Sequence, residues 1–198
     1  EKYPLMDAAP SGLIFELILN LAEAGNFERA TQLFHNRFFA REEGGTNVRQ
    51  VWVELQLQQA LSHSRGGRCG DALTAADHIG KEVAGLDFTR DGLDPIVGSA
   101  RSSYLLSKVY QTCGKSIEAK QKLQLAASAS AVDQVLWAYR AAQELPNFDQ
   151  AKWQDRLREA RDQAASRSET SSYPSWWMYT TGLLADQLKD SAEAELRF

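Results

Sequence analysis

The chain has 198 residues, of which 43% are hydrophobic, 10% aromatic and only 5 are proline. This composition excludes disordered and fibrous proteins, and the length suits one compact domain or one short array of repeats. The 22 basic and 26 acidic residues are mixed along the chain and leave a net charge of -4. No single-sign surface is expected, so nucleic acid and anionic lipid are not predicted partners.

The longest apolar stretch, residues 13–24, is interrupted by Glu16, Asn20 and Glu23 and is too short and too polar to span a bilayer. We therefore expect no membrane insertion. The first residues do not resemble a signal peptide, although a removed leader or a missing upstream domain stays open. The compartment is not determined by these features, with a soluble, cytoplasmic protein slightly favoured.

Helical spacing predicts a first pair of helices. The apolar face of the first helix is read as Leu13, Leu17, Leu21 and Ala24. Gly25-Asn26 is expected to end it and to cap the second helix. The second helix is expected to carry the spaced residues Phe27, Ala30, Phe34 and Phe38.

A second pair follows a loop over residues 41–45. Asn47 with Gln50 three residues later resembles a capping box and predicts a third helix that ends at Gly66-Gly67. The fourth helix is expected to place Ala72, Ala76 and Ile79 on one face and to end before Gly85. After a connection rich in Gly and Asp, Asp94 and Pro95 are expected to start the next helix.

Three further pairs complete the predicted organisation. The clearest carries Leu106, Tyr110, Gly114, Ala119, Leu123 and Ala126. In the next, Leu145-Pro146 stops the first helix and the second has the apolar stripe Trp153, Leu157, Ala160 and Ala164. A Ser-rich segment, 166–172, is expected to be a flexible connection to a last pair with Gly182, Ala194 and Phe198. That pair breaks off within its second helix, so we expect the chain to be a piece of a longer protein.

The two cysteines, Cys69 and Cys113, lie in the turn regions of successive predicted pairs. Equivalent points on neighbouring pairs are about 10 Å apart, whereas a disulfide needs roughly 4.4 to 6.8 Å between α-carbons. Two free, partly buried thiols are therefore the favoured interpretation. A disulfide is the alternative.

Catalytic signatures are weak. His35, His63 and His78 fall on different predicted helices, and none has a metal-ligating neighbour at helical spacing. Glu42 and Glu43 sit before two glycines, where a role in a turn is favoured over catalysis. Nucleophile-elbow, phosphate-loop and dinucleotide motifs are lacking. We expect no catalytic residues, no metal and no cofactor.

The recurring pattern of a Tyr or Gly, a small residue and a large apolar residue resembles the tetratricopeptide-repeat family. The resemblance implies an all-α fold, a right-handed superhelical solenoid of about five antiparallel helix pairs that extends over residues 1–198 as a single domain. Small residues would let the helices cross closely.

A closer likeness is carried by Arg37-Phe38-Phe39, 43–47, 88–93, Trp137-Ala138-Tyr139-Arg140 and Leu145-Pro146 with Trp153. These segments resemble the C-terminal repeat region of certain bacterial proteins. In those proteins the repeats follow an uncharacterised β-sandwich domain related to galactose mutarotases. The resemblance implies a link to carbohydrate.

A solenoid of this kind binds partners on the inner surface formed by the first helix of each pair. The expected partner-binding residues on this surface are Arg101, Tyr104, Lys108, Trp176 and Tyr179. The first three form a cationic, aromatic strip suited to an acidic or extended peptide. The non-periodic segments offer a second possibility, docking loops with Arg41, Glu43, Arg90 and Asp91.

We therefore expect a non-catalytic repeat scaffold that binds a protein or peptide, or another domain of the same polypeptide. The alternative is an accessory repeat domain that supports a carbohydrate-active or carbohydrate-binding β-sandwich domain outside this chain.

Overall fold

The computed structural model describes residues 9–43, 45–81, 83–88 and 92–197. The structure is mostly helical, with 71% helix and little sheet, which confirms the all-α prediction at the level of fold class. Phe198 and two of the predicted docking-loop residues, Arg90 and Asp91, lie outside the described residues.

The helices of the described residues are α1 Ser11–Glu23, α2 Phe27–Gln32, α3 Val48–Arg65, α4 Cys69–His78, α5 Leu93–Val97, α6 Ala100–Thr112, α7 Ser116–Ala127, α8 Val135–Ala142, α9 Gln150–Thr170, α10 Pro174–Gln187 and α11 Ser191–Arg197. A 3-10 turn, Val132–Gln134, precedes α8. The strands are β1 Arg37–Phe39, β2 Glu42–Glu43, β3 Thr46–Asn47 and β4 Leu86–Phe88.

The short strands were not predicted. β1 pairs with β4 in parallel, with Phe39 opposite Phe88, and β2 pairs with β3 in an antiparallel hairpin. The second helix is consequently shorter than expected and ends at Gln32. In β1 side chains alternate, so Phe39 is buried while Phe38 is 56% exposed. The prediction that Phe38 continues the buried helical face was wrong.

The described part of the chain forms two compact units, one from Glu1–Gly98 and Lys108–Ala119 and one from Ser99–Ser107 and Lys120–Phe198. In the first unit α3 packs on α4 and α1 on α2. Its core is built from aromatic rings that are almost fully buried: Phe15, Phe34, Phe39, Trp52 and Phe88. Asn47 caps α3 as predicted, because its side chain accepts a hydrogen bond from the Arg49 amide at 3.1 Å.

The buried face of α1 differs from the predicted one. Ile14, Phe15 and Ile18 are buried, whereas Leu13 is 64% exposed. Apolar residues occupy almost every position of residues 13–19, so their periodicity did not determine which face packs.

The second unit has two apolar clusters. One joins the 3-10 turn, α8, α9 and α10 through buried residues that include Leu136, Leu157 and Leu184, and the other joins α6, α7 and α8 through Ala100, Leu123, Ala126 and Ala141. α8 ends at Ala142, before Leu145-Pro146, as predicted. The α9 stripe of Leu157, Ala160 and Ala164 is buried, also as predicted.

The expected flexible connection over 166–172 was wrong in its first part, because α9 continues to Thr170. Ser168 and Thr170 donate hydrogen bonds from their hydroxyls to the backbone carbonyls of Ala165 (2.6 Å) and Ser166 (3.4 Å). These bonds are compatible with a helix, so the Ser-rich composition does not interrupt it here.

The two cysteines form a disulfide, which corrects the prediction of free thiols. Their α-carbons are 5.4 Å apart. The error lay in treating the two turns as equivalent points of successive pairs: Cys69 is the first residue of α4, while Cys113 directly follows α6. The start of one helix thus meets the end of another at bonding distance, and the spacing of equivalent points does not apply.

Candidate functional site

A groove of about 250 Å³ opens in the second unit. Its floor contains the buried side chains of Val132, Leu136 and Leu184. Its walls carry aromatic and charged side chains, namely Arg101, Asp133, Trp137, Trp176 and Tyr179. The groove therefore joins apolar surface to one cationic and one anionic group, a composition typical of binding sites.

Trp137 of α8 is held by three neighbours. The guanidinium carbon of Arg140 lies 4.7 Å from the centroid of its ring, and that of Arg101 lies 5.5 Å away. The ring of Tyr104 is 5.8 Å from it, centroid to centroid. Cation–π and aromatic contacts of this kind restrict the indole to one orientation, so this wall of the groove is preorganised.

Tyr104 is itself oriented by Glu144. Burial is the main cause that raises the pKa of Tyr104, and the negative charge of Glu144 and a hydrogen bond to its carboxylate raise the pKa further. Arg140 acts in the opposite direction. The phenol therefore keeps its proton at neutral pH and donates a hydrogen bond to the Glu144 carboxylate, which helps to orient the ring that contacts Trp137.

A further part of the groove lining comes from the first two turns of α10, which begins at Pro174. Trp176 and Tyr179 lie three residues apart on one helix face, with their ring centroids 6.5 Å from each other. They are 52% and 49% exposed, an unusual state for large aromatic side chains. The hydroxyl of Thr180 donates to the carbonyl of Trp176 at 2.8 Å within this turn.

The structure brings together three of the predicted inner-surface residues, Arg101, Trp176 and Tyr179, in this one groove. Tyr104 lies behind the groove against Trp137, while Lys108 belongs to the first unit and does not line the groove. Trp137 and Asp133 were not predicted. The pair Trp137 and Arg140, three residues apart on a helix, is a sequence signal that points to an aromatic ring held by a cation.

The predicted docking loop around Arg41 is ordered by its own hairpin. The carbonyl of Arg41 accepts a hydrogen bond from the Val48 amide at 3.2 Å, and Glu43 Oε1 accepts one from the Ala40 amide at 3.2 Å. Glu43 thus has the turn role favoured by its sequence context. Within the described ranges, no cluster of three or more His, Cys, Asp or Glu side chains is arranged to hold a metal ion.

Comparison with known proteins does not assign the chain to a family. No protein-family model matches the chain, and no significant match was found among curated proteins or among solved structures. The tetratricopeptide resemblance therefore stays a prediction. Among the described helices, none combines the length and apolar character that crossing a membrane requires.

Proposed function

We propose that the chain is a non-catalytic, tetratricopeptide-like helical scaffold that binds an extended peptide segment in the groove of the second unit. The segment would come from a protein partner or from another domain of the same polypeptide. The observation that carries the proposal is that two half-exposed rings, Trp176 and Tyr179, line the same groove as the preorganised Trp137 and buried apolar side chains. Exposed aromatic side chains beside a pocket are typical hot spots of protein recognition.

The charges at the groove suggest which peptides fit. Arg101 places a planar guanidinium beside Trp137, a group that pairs with carboxylates, and Asp133 places a carboxylate in the same lining, which accepts from amide or ammonium groups. A segment with an aliphatic side chain for the floor and an acidic residue beside it would satisfy both features. The separation of the two charges would favour one chain direction over the other.

The alternative of a support for a carbohydrate-active domain leads to a different ligand for the same rings, because aromatic faces also stack on sugars. The two ideas are separated by one screen. Immobilised protein is offered a random peptide library and, in parallel, a set of oligosaccharides. Selection of peptides with an aliphatic–acidic motif supports the proposal, and selection of sugars alone, with binding that is lost in Trp176→Ala/Tyr179→Ala, supports the alternative.

The site is tested with the variant Trp176→Ala/Tyr179→Ala. We expect the removal of both aromatic side chains to reduce the binding free energy of a selected peptide by about 2 kcal/mol or more. This corresponds to at least about thirtyfold weaker binding. Tyr173→Ala is the matched control, since Tyr173 is 73% exposed next to the start of α10 but does not line the groove. Equal affinity of the double variant and the native chain would place the peptide site elsewhere.

A further inference from the structure

The three histidines of the sequence line one polar cleft of the first unit. The cleft has a volume of about 400 Å³ and lies against α2, α3 and α4. His35 follows α2, His63 lies near the end of α3, and His78 is the last residue of α4. The sequence showed no relationship between them, and the fold brings them into the lining of one cleft. Their arrangement does not fit a metal ion, as no metal cluster is found in the described part of the chain.

His63 has a defined proton position. The ring is 5% exposed, and its Nδ1 atom lies 2.6 Å from Arg68 Nη2 and 3.2 Å from Arg68 Nε. A guanidinium can only donate, so Nδ1 accepts and the ring proton of the neutral imidazole is on Nε2. This Nε2 atom lies 3.7 Å from Glu28 Oε1.

A separation of 3.7 Å is too long for a direct hydrogen bond. A ligand hydroxyl near both atoms would accept from His63 Nε2 and donate to Glu28 Oε1, so that each of its polar functions is used. Glu28 can adjust to such a ligand, because its side chain is 64% exposed.

Beside His63 and Glu28, the cleft lining contains a chain of side-chain hydrogen bonds. Gln56 Nε2 donates to Thr31 Oγ1 at 3.3 Å, and Thr31 Oγ1 donates to Gln59 Oε1 at 3.2 Å. Gln56 is only 1% exposed, so this chain is anchored in the protein interior. The orientation of the Gln59 amide is thereby fixed, and its NH2 group remains a donor at the cleft wall.

The chemistry of the lining selects a ligand class. Apart from Ala75, the described lining residues are polar, and most of them carry groups that both donate and accept: amides, hydroxyls and imidazoles. The carboxylate of Glu28 disfavours an anion, whereas the charge of Asp71 is balanced by Arg68, whose Nε lies 3.6 Å from Asp71 Oδ2. A protonated amine only donates, so it would leave the imidazole and amide donors unpaired. A hydroxyl both donates and accepts, as these groups do.

From this match we propose that the cleft binds a small uncharged polyhydroxylated molecule, with one hydroxyl bridging His63 Nε2 and Glu28 Oε1. A cyclic monosaccharide and an acyclic polyol share this chemistry. The site belongs to the first unit and uses none of the residues of the aromatic groove. The proposal for the cleft is therefore tested independently of peptide binding.

The experiment uses the whole chain and ligand-observed NMR, followed by calorimetric titration. The probes are glucose, galactose and sorbitol, with inorganic phosphate and spermidine as charged comparisons. We expect at least one neutral probe to bind and neither charged probe to bind as tightly. Preference for the hexoses over sorbitol identifies a cyclic ligand, and the reverse preference identifies an acyclic one.

Glu28→Ala and Gln59→Ala are each expected to weaken binding of that neutral probe about tenfold, the effect of losing one hydrogen bond to the ligand. Neither residue is fully buried, so both variants should fold, which circular dichroism can verify. Gln58→Ala is the matched control, because Gln58 neighbours Gln59 on α3 but bonds to Glu54 Oε1 at 2.6 Å and lines another groove. Absence of binding by every neutral probe, tighter binding of phosphate or spermidine, or native affinity in both variants would overturn the proposal.

Discussion

The sulfur atoms of Cys69 and Cys113 are bonded to each other, which joins the first residue of α4 to the residue that follows α6. The bridge links positions 44 residues apart and lies within the first unit. It therefore constrains a segment of the unfolded chain that includes α4, β4, α5 and α6.

Removing this bridge should destabilise the first unit. For a closed loop of this length, the chain-entropy model gives a loss of about 4 kcal/mol in the free energy of unfolding. The variant Cys69→Ser/Cys113→Ser can be compared with the oxidised and the reduced native chain by guanidinium unfolding. The reductant should lower the midpoint of the native chain and leave that of the double variant unchanged. Equal midpoints of the oxidised and reduced native chain would contradict the expectation.

The bridge also bears on the compartment. Disulfides persist in oxidising compartments and are rare in the cytosol, so the expectation of a cytoplasmic protein does not agree with this contact. Alkylation of thiols in the protein from its native source, followed by mass measurement, should find both cysteines protected. Labelling of both without reductant would restore the cytoplasmic expectation.

The packing of Phe34 provides a third prediction. Its ring is fully buried and contacts four others, those of Phe15, Phe39, Trp52 and Phe88. Phe34→Ala should lower the free energy of unfolding by about 3 to 5 kcal/mol, because it removes apolar contacts and leaves a cavity. Phe38→Ala is the control: this ring is 56% exposed and its loss should change stability by about 0.5 kcal/mol or less. Chemical unfolding of the two variants measures the difference, and comparable losses would show that Phe38 is part of the core.

These two phenylalanines illustrate what the sequence could and could not predict. Helical spacing placed Phe34 and Phe38 on one face, but the pairing of β1 with β4 involves residues about fifty positions apart, and no local pattern reports such a contact. The stripe of α9 was predicted correctly because its apolar residues are separated by charged ones, so only one face could be buried. In α1 that contrast is missing, and the predicted face was wrong.

The candidate groove was predictable in part for the same reason. Trp176 and Tyr179 share one face of α10, and Arg101 and Tyr104 share one face of α6, so spacing alone groups each pair. Their meeting around Trp137 depends on how α8 and α10 pack, which the sequence does not report. The polar cleft was missed entirely, because its histidines come from separate elements with no common spacing.

The titration of Tyr104 provides a fourth prediction. Its pKa is raised by burial first and then by the charge of Glu144 and a hydrogen bond to it. The folded state therefore holds this proton more tightly than the unfolded state, whose phenol has a pKa of about 10. The resulting stabilisation is complete below about pH 10 and is lost as the pH rises through the folded-state pKa.

Glu144→Gln should lower the pKa of Tyr104 towards its ordinary value, because it removes the negative charge. Tyrosinate absorbance can be followed in each background, with the Tyr104→Phe variant subtracted to isolate this residue. Tyr110 is an internal control, since its pKa is raised by burial, Asp77 and Glu118 and does not depend on Glu144. An unchanged Tyr104 titration in Glu144→Gln would mean that the carboxylate does not contact the phenol.

The turn between α6 and α7 provides a last prediction. It separates the steric effect of an added side chain from the effect of the backbone conformation. Gly114 has a φ of 71°, in the left-handed region, and a Cβ added there would meet nothing within 4 Å. Gly114→Ala should therefore cost about 1 kcal/mol through the backbone alone, and Gly114→Asn should cost less, since Asn tolerates this conformation better. Gly70 in α4 is the matched control, because a Cβ there also meets nothing but the backbone is helical. Gly70→Ala should leave stability unchanged or raise it by up to about 1 kcal/mol. If the free energy of unfolding changed in the same direction in both alanine variants, backbone conformation would not be the cause of the effect.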